Sequence, residues 1–304
     1  MKSIKNKAIF STLAMGGVAV LLVAGCGTSA GNNTNGTSPT TGQSTGQAAG
    51  NTTSAGTNAS AEKTSAINVT AQTNANAQPQ AGTIVIGTDD TYPPDEYTNA
   101  SGQLLGFDVD LGDALGQVLH KKVIWKPTAW DGIIPGLQAN KYDAIISFMN
   151  VTPERAKQIQ FIPYGSFGQV IVTKANSTEN ITTINDLKGK KVGVQIGTTS
   201  EDAVKTVGGA IIKEYNTFPD ALNDLANGRI DAVVVDESVG RYYMTKDPGV
   251  FKISGQPFLS EPVGIGLRKN DTQLDQQLQQ AFSTLQKNGT YNKIYTYWFG
   301  APSK

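Results

Sequence analysis

Between Thr83 and Phe299 the apolar residues fall into two alternating kinds of run, short unbroken ones and longer ones spaced three or four apart. Unbroken runs suit strands buried on both faces and spaced runs suit amphipathic helices, so the pattern predicts α/β architecture. Thr83 to Gly87 (TIVIG) is the first strand, Phe107, Leu111, Leu115 and Val118 mark a helix, and Val123 to Trp125 is the next strand. A short helix through Ile133, Ile134 and Leu137 leads to a strand at Ala144 to Ile146. After Gln169 to Lys174 (QVIVTK) the alternation starts afresh at Lys191 to Gln195. It continues through Ile211-Ile212, a helix from Asp220 to Ala226 stopped by Gly228, and Ala232 to Val235. Gly264 to Arg268 is a return crossing, and helices at Leu274 to Leu285 and Tyr291 to Phe299 close the pattern. The restart near Lys191 predicts two lobes.

The stretch Tyr142 to Lys157 (YDAIISFMNVTPERAK) runs from a buried strand straight into a helix N-terminus. Thr152 is the expected N-cap and Pro153 the first helical residue, where its missing N–H costs nothing, so Arg155 falls in the first turn. Free backbone donors, a positive dipole end, Ser147, Asn150 and a guanidinium fork converge there, and a small carboxylate would fit. Three more turns lie past strand ends, where ligands of open α/β sheets bind. One is Gly87 to Pro94 with Asp89 and Tyr92, one is Gln195 to Asp202 with Thr199, and one is Val235 to Ser238 with Asp236 and Glu237. The second is not a nucleotide loop, because no lysine follows its glycine.

Upstream of this region the chain changes character. Lys2, Lys5 and Lys7 precede an apolar run from Ala8 to Val23 of about 16 residues, shorter than a spanning helix needs. Residues 1–25 are therefore expected to be a signal peptide, which marks an exported protein. Val23-Ala24-Gly25-Cys26 resembles the bacterial lipobox, which implies lipidation of Cys26. That cysteine is the single one, so no internal disulfide is possible. Residues 26–82 are mostly Gly, Asn, Thr, Ser, Ala and Gln, a composition expected to form no core and to act as a tether reaching about 40 Å. The formal charge is zero, and removal of three lysines with the signal peptide takes it to −3. With no basic stripe, nucleic acid is not an expected partner. The single histidine, His120, is expected at the surface of a helix end.

The sequence resembles the amino-acid-binding solute-binding proteins of bacterial ABC transporters, over the whole region from Thr83 to Phe299. The segments that carry the resemblance include GTDDTYPP, GFDVDL, WDGIIPGL, YDAIIS with TPER, DLKGKKVGVQIGTTSED, ALNDLANGRIDAVVVD and GTYNKIYTYWFG. It implies a bilobed periplasmic-binding-protein fold of type II, with residues 83–172 and 262–304 as lobe 1 and 173–261 as lobe 2, joined by two hinge crossings. It also implies that Arg155 holds a ligand α-carboxylate with Ser147, Asn150 and Thr199. Asp236 takes the α-ammonium, Tyr92 and Trp130 sandwich the ligand side chain, and Asp89 meets its polar end. Partners implied are a free L-amino acid and the membrane permease of an ABC importer, the protein being a monomer held at the membrane by its lipid, with no cofactor. Two residues depart from the family pattern: Phe148 stands where a small residue is usual, and Asp95 where Phe is usual.

The charge chemistry agrees with a zwitterion, since Arg155 offers a planar cation and Asp236 a fixed anion from different lobes. Asp89, Asp90 and Asp95 crowd one loop, which favours a cationic side chain, arginine first, with lysine and histidine behind it and glutamine as the alternative. Two other classes share this fold. A dehydratase would use Asp95 or Glu237 as its acid, and a soluble ligand sensor would need a separate receptor.

Overall fold

The computed structural model describes residues 63–300. The expected signal peptide, Cys26 and the tract up to residue 62 lie outside the described residues. The first half of the fold begins with β1 (Thr83–Thr88), followed by β2 (Thr91–Tyr92), β3 (Glu96–Thr98) and β4 (Leu104–Leu105). It continues through α1 (Phe107–Leu119), β5 (Lys122–Pro127), α2 (Ile133–Gln138), β6 (Ala144–Ile145) and α3 (Pro153–Gln158). A long strand, β7 (Gln160–Lys174), leads to β8 (Lys191–Gln195), α4 (Thr199–Lys205), β9 (Ile211–Tyr215), α5 (Phe218–Ala226), β10 (Ala232–Asp236) and α6 (Glu237–Lys246). A second long strand, β11 (Phe251–Leu267), returns, and α7 (Thr272–Lys287) and α8 (Thr290–Phe299) pack back on the first half.

One eight-stranded sheet has the order β5-β1-β6-β11-β7-β10-β8-β9. Its two ends are parallel triplets, and the antiparallel pair of β7 and β11 joins them. Alternation along each strand explains the burial. In β1, Ile84 and Ile86 face one apolar cluster and Val85 a second, while in β10 Val233 and Val235 face the first and Val234 a third. Strands covered on both faces need such unbroken apolar runs. The pairing of β11 slips between Ser254 and Phe258, between Phe258 and Glu261, and between Val263 and Gly264. Those irregularities lie opposite Pro163 to Ile171, and Gln169 to Val172 pair with β10 of the second half.

The tract before β1 departs from expectation. Its last part, from Lys63 to Gly82, is packed on the first half. Gln72 and Asn74 hydrogen-bond Trp125 at 2.7 and 2.8 Å, adding a rung to the free side of the edge strand β5. Ser65 Oγ and the Ala66 N–H donate to the Asp110 carboxylate at 2.6 and 2.7 Å, where Trp298 Nε1 also donates at 2.6 Å. Lys63 Nζ donates to the carbonyls of Tyr297 and Trp298 at the end of α8. A strap of small, mostly polar residues docks through its backbone together with Ser65, Lys63 and the buried Ala66 and Ala77. A chain beginning at Thr83 strips Asp110 of two donors and bares β5. Compared with a chain beginning at Lys63, it should be less stable by about 2–5 kcal/mol in urea denaturation. Equal midpoints and slopes would show that the strap contributes nothing.

Candidate functional site

The carboxyl ends of β1 and β6 emerge side by side because the two strands pair in parallel at Gly87 and Ile145. The Asp89 N–H donates to Ser147 Oγ, and Ser147 donates in turn to Glu96 Oε1, both at 2.9 Å. Thr152 caps α3 by accepting from the Arg155 N–H, as its position before Pro153 requires. The Arg155 side chain folds back over the turn. Its Nη1 donates to the Asn150 carbonyl at 2.8 Å, its Nη2 to the Gly197 carbonyl at 3.1 Å, and its guanidinium lies 5.1 Å from the centre of the Trp130 ring. Trp130 Nε1 donates to the same Gly197 carbonyl.

The second half meets these groups from the ends of β8 and β10. Gly197 turns the chain with φ +72°, which favours glycine, and Thr198 then caps α4. Thr199 donates to Asn150 Oδ1 at 3.1 Å and accepts from Gln169. Gln195 Nε2 reaches Asp89 Oδ2 at 2.8 Å. Asp236, the N-cap residue of α6, accepts from the Tyr92 hydroxyl at 2.7 Å. Bonds from both halves thus meet around a cavity of about 20 Å³, the space of roughly one water.

Asp89, Tyr92, Trp130, Ser147, Asn150, Thr199 and Asp236 all line that cavity. Arg155 adjoins it through Asn150 and Gly197. The Tyr92 ring packs on Phe148 and Phe218, and Trp130 carries the Arg155 cation. Glu96, Gln195, Thr198 and Ser200 line the cavity as well. Gln195 stood inside the quoted turn and Glu96 beside Asp95, yet no periodicity distinguishes a residue aimed into a cavity from its neighbours. The three-carboxylate argument for the Asp89 loop needs correction. Asp90 accepts from Thr98 at the surface, and Asp95 is fully buried against Ser238 outside the cavity wall. Glu237, the other acid considered for dehydratase chemistry, pairs with Arg241 instead. Phe148 holds φ +40°, the region in which a glycine is comfortable, and its N–H donates to Asp108 Oδ2. Among the described residues no group of three or more histidines, cysteines or carboxylates is placed to hold a metal ion, and no helix is long and apolar enough to cross a membrane.

Comparison with known proteins adds relatives. The profile of the bacterial extracellular solute-binding proteins, family 3, matches residues 84–301. The L-cystine-binding protein TcyJ of Escherichia coli K12 is 33% identical over 228 residues, 74% of this chain and 86% of that protein. The ABC transporter arginine-binding protein 1 of the same organism is 36% identical, over 71% of this chain and 90% of its own. Among solved structures, an ancestral arginine-binding protein bound to arginine superposes with TM-score 0.70 at 44% identity, covering 72% of this chain and 99% of its own. The structure of an ancestral arginine-binding protein bound to glutamine gives the same score and identity.

Burial dominates the electrostatics of the site. It pushes the Asp236 carboxyl up to about 7; Glu261 adds to the rise, while the Tyr92 hydrogen bond and Arg155 oppose it. Burial also raises Asp89, against the hydrogen bonds from Thr91 and Gln195, and it lowers Arg155, which Glu261, Asp202 and Asp236 partly restore. A raised carboxyl pKa means that the folded protein holds this proton more tightly than the unfolded chain, whose value is about 3.9. The stabilising contribution is therefore complete below about pH 4 and is lost as pH rises through about 7. Asp236→Asn keeps an acceptor for Tyr92 but cannot ionise. Its stability relative to wild type should rise across that window, by up to about 4 kcal/mol, in unfolding experiments at a series of pH values. A pH-independent difference would refute the assignment of a buried, proton-holding Asp236.

Proposed function

The chain belongs to the bacterial extracellular solute-binding proteins of family 3, and on that premise we propose that it binds a cationic amino acid, arginine first, and hands it to an ABC importer. The observation that carries this reading is a cavity lined by the buried carboxyls of Asp236 and Asp89, with the buried Arg155 adjoining it through Asn150 and Gly197. Arg155 would hold the ligand carboxylate, which takes the place of the Gly197 carbonyl on Nη2. Thr199, Asn150 and Ser147 would complete that end, with Ser147 acting as both donor and acceptor. Asp236 would exchange the Tyr92 hydroxyl for the α-ammonium. A ligand guanidinium would exchange with the Gln195 amide on Asp89, gaining a charge-assisted bond where the protein supplies only a neutral one. Tyr92 and Trp130 would flank the side chain once Arg155 turns to the carboxylate.

Each exchange replaces a direct bond between the halves with a bond to a ligand that both halves hold, which is how a ligand supports hinge closure in a bilobed protein. Lobe 1 is the half built on β1, β5 and β6, and lobe 2 the half built on β8, β9 and β10. Cys26 would carry the lipid anchor on the outer face of the cytoplasmic membrane. The strap from Lys63 would then shorten the free tether to residues 27–62, with a reach of about 30–35 Å. Glutamine is the second reading, favoured by the neutral amide of Gln195 already seated on Asp89.

Arg155→Ala should bind arginine about 30- to several-thousand-fold more weakly in titration calorimetry, because a buried ligand carboxylate loses its counter-charge. Near-wild-type affinity in the folded variant would overturn the carboxylate assignment. Asp89→Asn separates the ligands: it should cost more than about 2 kcal/mol for arginine and less for glutamine. Tight glutamine binding by the wild type, with arginine at least about a hundredfold weaker, would reverse the preference.

A further inference from the structure

The bonds around the cavity all involve residues that a ligand would touch or displace. One further bond between the halves does not. Ser238 Oγ, in the first turn of α6, donates to Asp95 Oδ2 at 2.7 Å, and both residues are buried. Neither lines the cavity. Asp95 is held from behind by its own backbone: its N–H donates to the Tyr92 carbonyl and its carbonyl accepts from the Asp108 N–H, both at 2.9 Å. Gly106, at φ +141°, lies so close that an added Cβ would sit 2.1 Å from that carbonyl oxygen, which pins α1 and the Asp95 turn together. The carboxylate is thus presented to α6 by a fixed backbone. Its other oxygen, Oδ1, has no hydrogen-bond partner, so Ser238 is what satisfies this buried group. A second contact reaches α6 from the strand that follows Asp95, the Tyr97 ring of β3 lying 5.8 Å from the Tyr242 ring.

We propose that the Asp95–Ser238 bond, backed by Tyr97 on Tyr242, is a latch that sets how readily the two halves close without choosing the amino acid they close on. Asp95 is then a positioning residue. It acts through α6, whose N-cap residue is Asp236, and so fixes where that carboxylate stands when the cavity shuts. The proposal rests on the reading that the halves close around an amino acid. Its distinguishing property follows from its place behind the cavity wall: a latch of this kind contributes equally to every ligand, whereas a contact in the wall does not.

The test uses the full chain with Ser238→Ala, Ser238→Thr and Tyr242→Leu, with arginine and glutamine as probes. Small-angle scattering without amino acid should give a larger radius of gyration for Ser238→Ala than for wild type. Affinities for both amino acids should fall by the same factor, about three- to tenfold, chiefly through faster dissociation. Ser238→Thr keeps a hydroxyl and should restore both readouts, and Tyr242→Leu should shift them in the same direction as Ser238→Ala, which keeps the test open if the alanine variant folds poorly. Unchanged radius and affinity in Ser238→Ala would overturn the latch. A loss confined to one amino acid would overturn it too, by making the contact a selective one. If the wild type bound no amino acid, the functional reading would fail, while the radius comparison would still decide whether Ser238 holds the halves together.

Discussion

A buried guanidinium must be hydrogen-bonded, and Arg155 meets that requirement by reaching from one half of the fold to a backbone carbonyl of the other. The same constraint governs the acids around it. Asp236 Oδ2 accepts from the Tyr92 hydroxyl and Asp89 Oδ2 from the Gln195 amide, each contributed from the opposite side. Buried polar groups that could not be left bare thus hold the two halves together. These bonds are neutral at one end, so a ligand bringing a carboxylate and an ammonium offers each group a stronger partner.

The joint between the two halves is the antiparallel pair of β7 and β11. These strands connect two otherwise independent parallel triplets, and their pairing is irregular where the connection crosses. A regular ladder resists bending because every rung would stretch together; slipped registers at Ser254, Phe258 and Val263 leave gaps in the ladder. Ser166 and Ser260 face each other across this stretch, their hydroxyls 3.1 Å apart.

Most of the architecture was legible in the sequence because parallel strands covered on both faces leave continuous apolar runs, as at Ala144 to Ile146 and Ala232 to Val235. The N-cap at Thr152 and the turn glycine at Gly197 were legible for the same reason, since local backbone chemistry dictates them. What escaped was settled by tertiary contact. The strap from Lys63 has the composition of a coil, and its docking depends on Asp110 and on the vacant side of β5, which are distant in sequence. Asp95 looked like one more acid of the Asp89 loop. Which way it points was decided by its backbone pairing with α1, and nothing in the spacing of residues records that.

Phe148 shows how such a departure is accommodated. A bulky residue at φ +40° is strained by about 1 kcal/mol or more. The strain is held by two things that surround it. The Asp108 carboxylate accepts from its N–H and from the Tyr164 hydroxyl, and the ring is packed 4.5 Å from Phe167 and 6.2 Å from Tyr92. Burial raises the Asp108 carboxyl to about 7, and the same two donors pull it back down. The turn that presents Ser147 and Asn150 to the cavity therefore depends on a carboxyl one layer behind it. The acids of this region form two layers, one that faces the cavity and one, Asp95 and Asp108, that aims the first. A substitution in the rear layer changes where Asp236 or Ser147 stands without touching a ligand, so its effect should spread over all ligands alike, while selectivity stays with Asp89 and the residues opposite it.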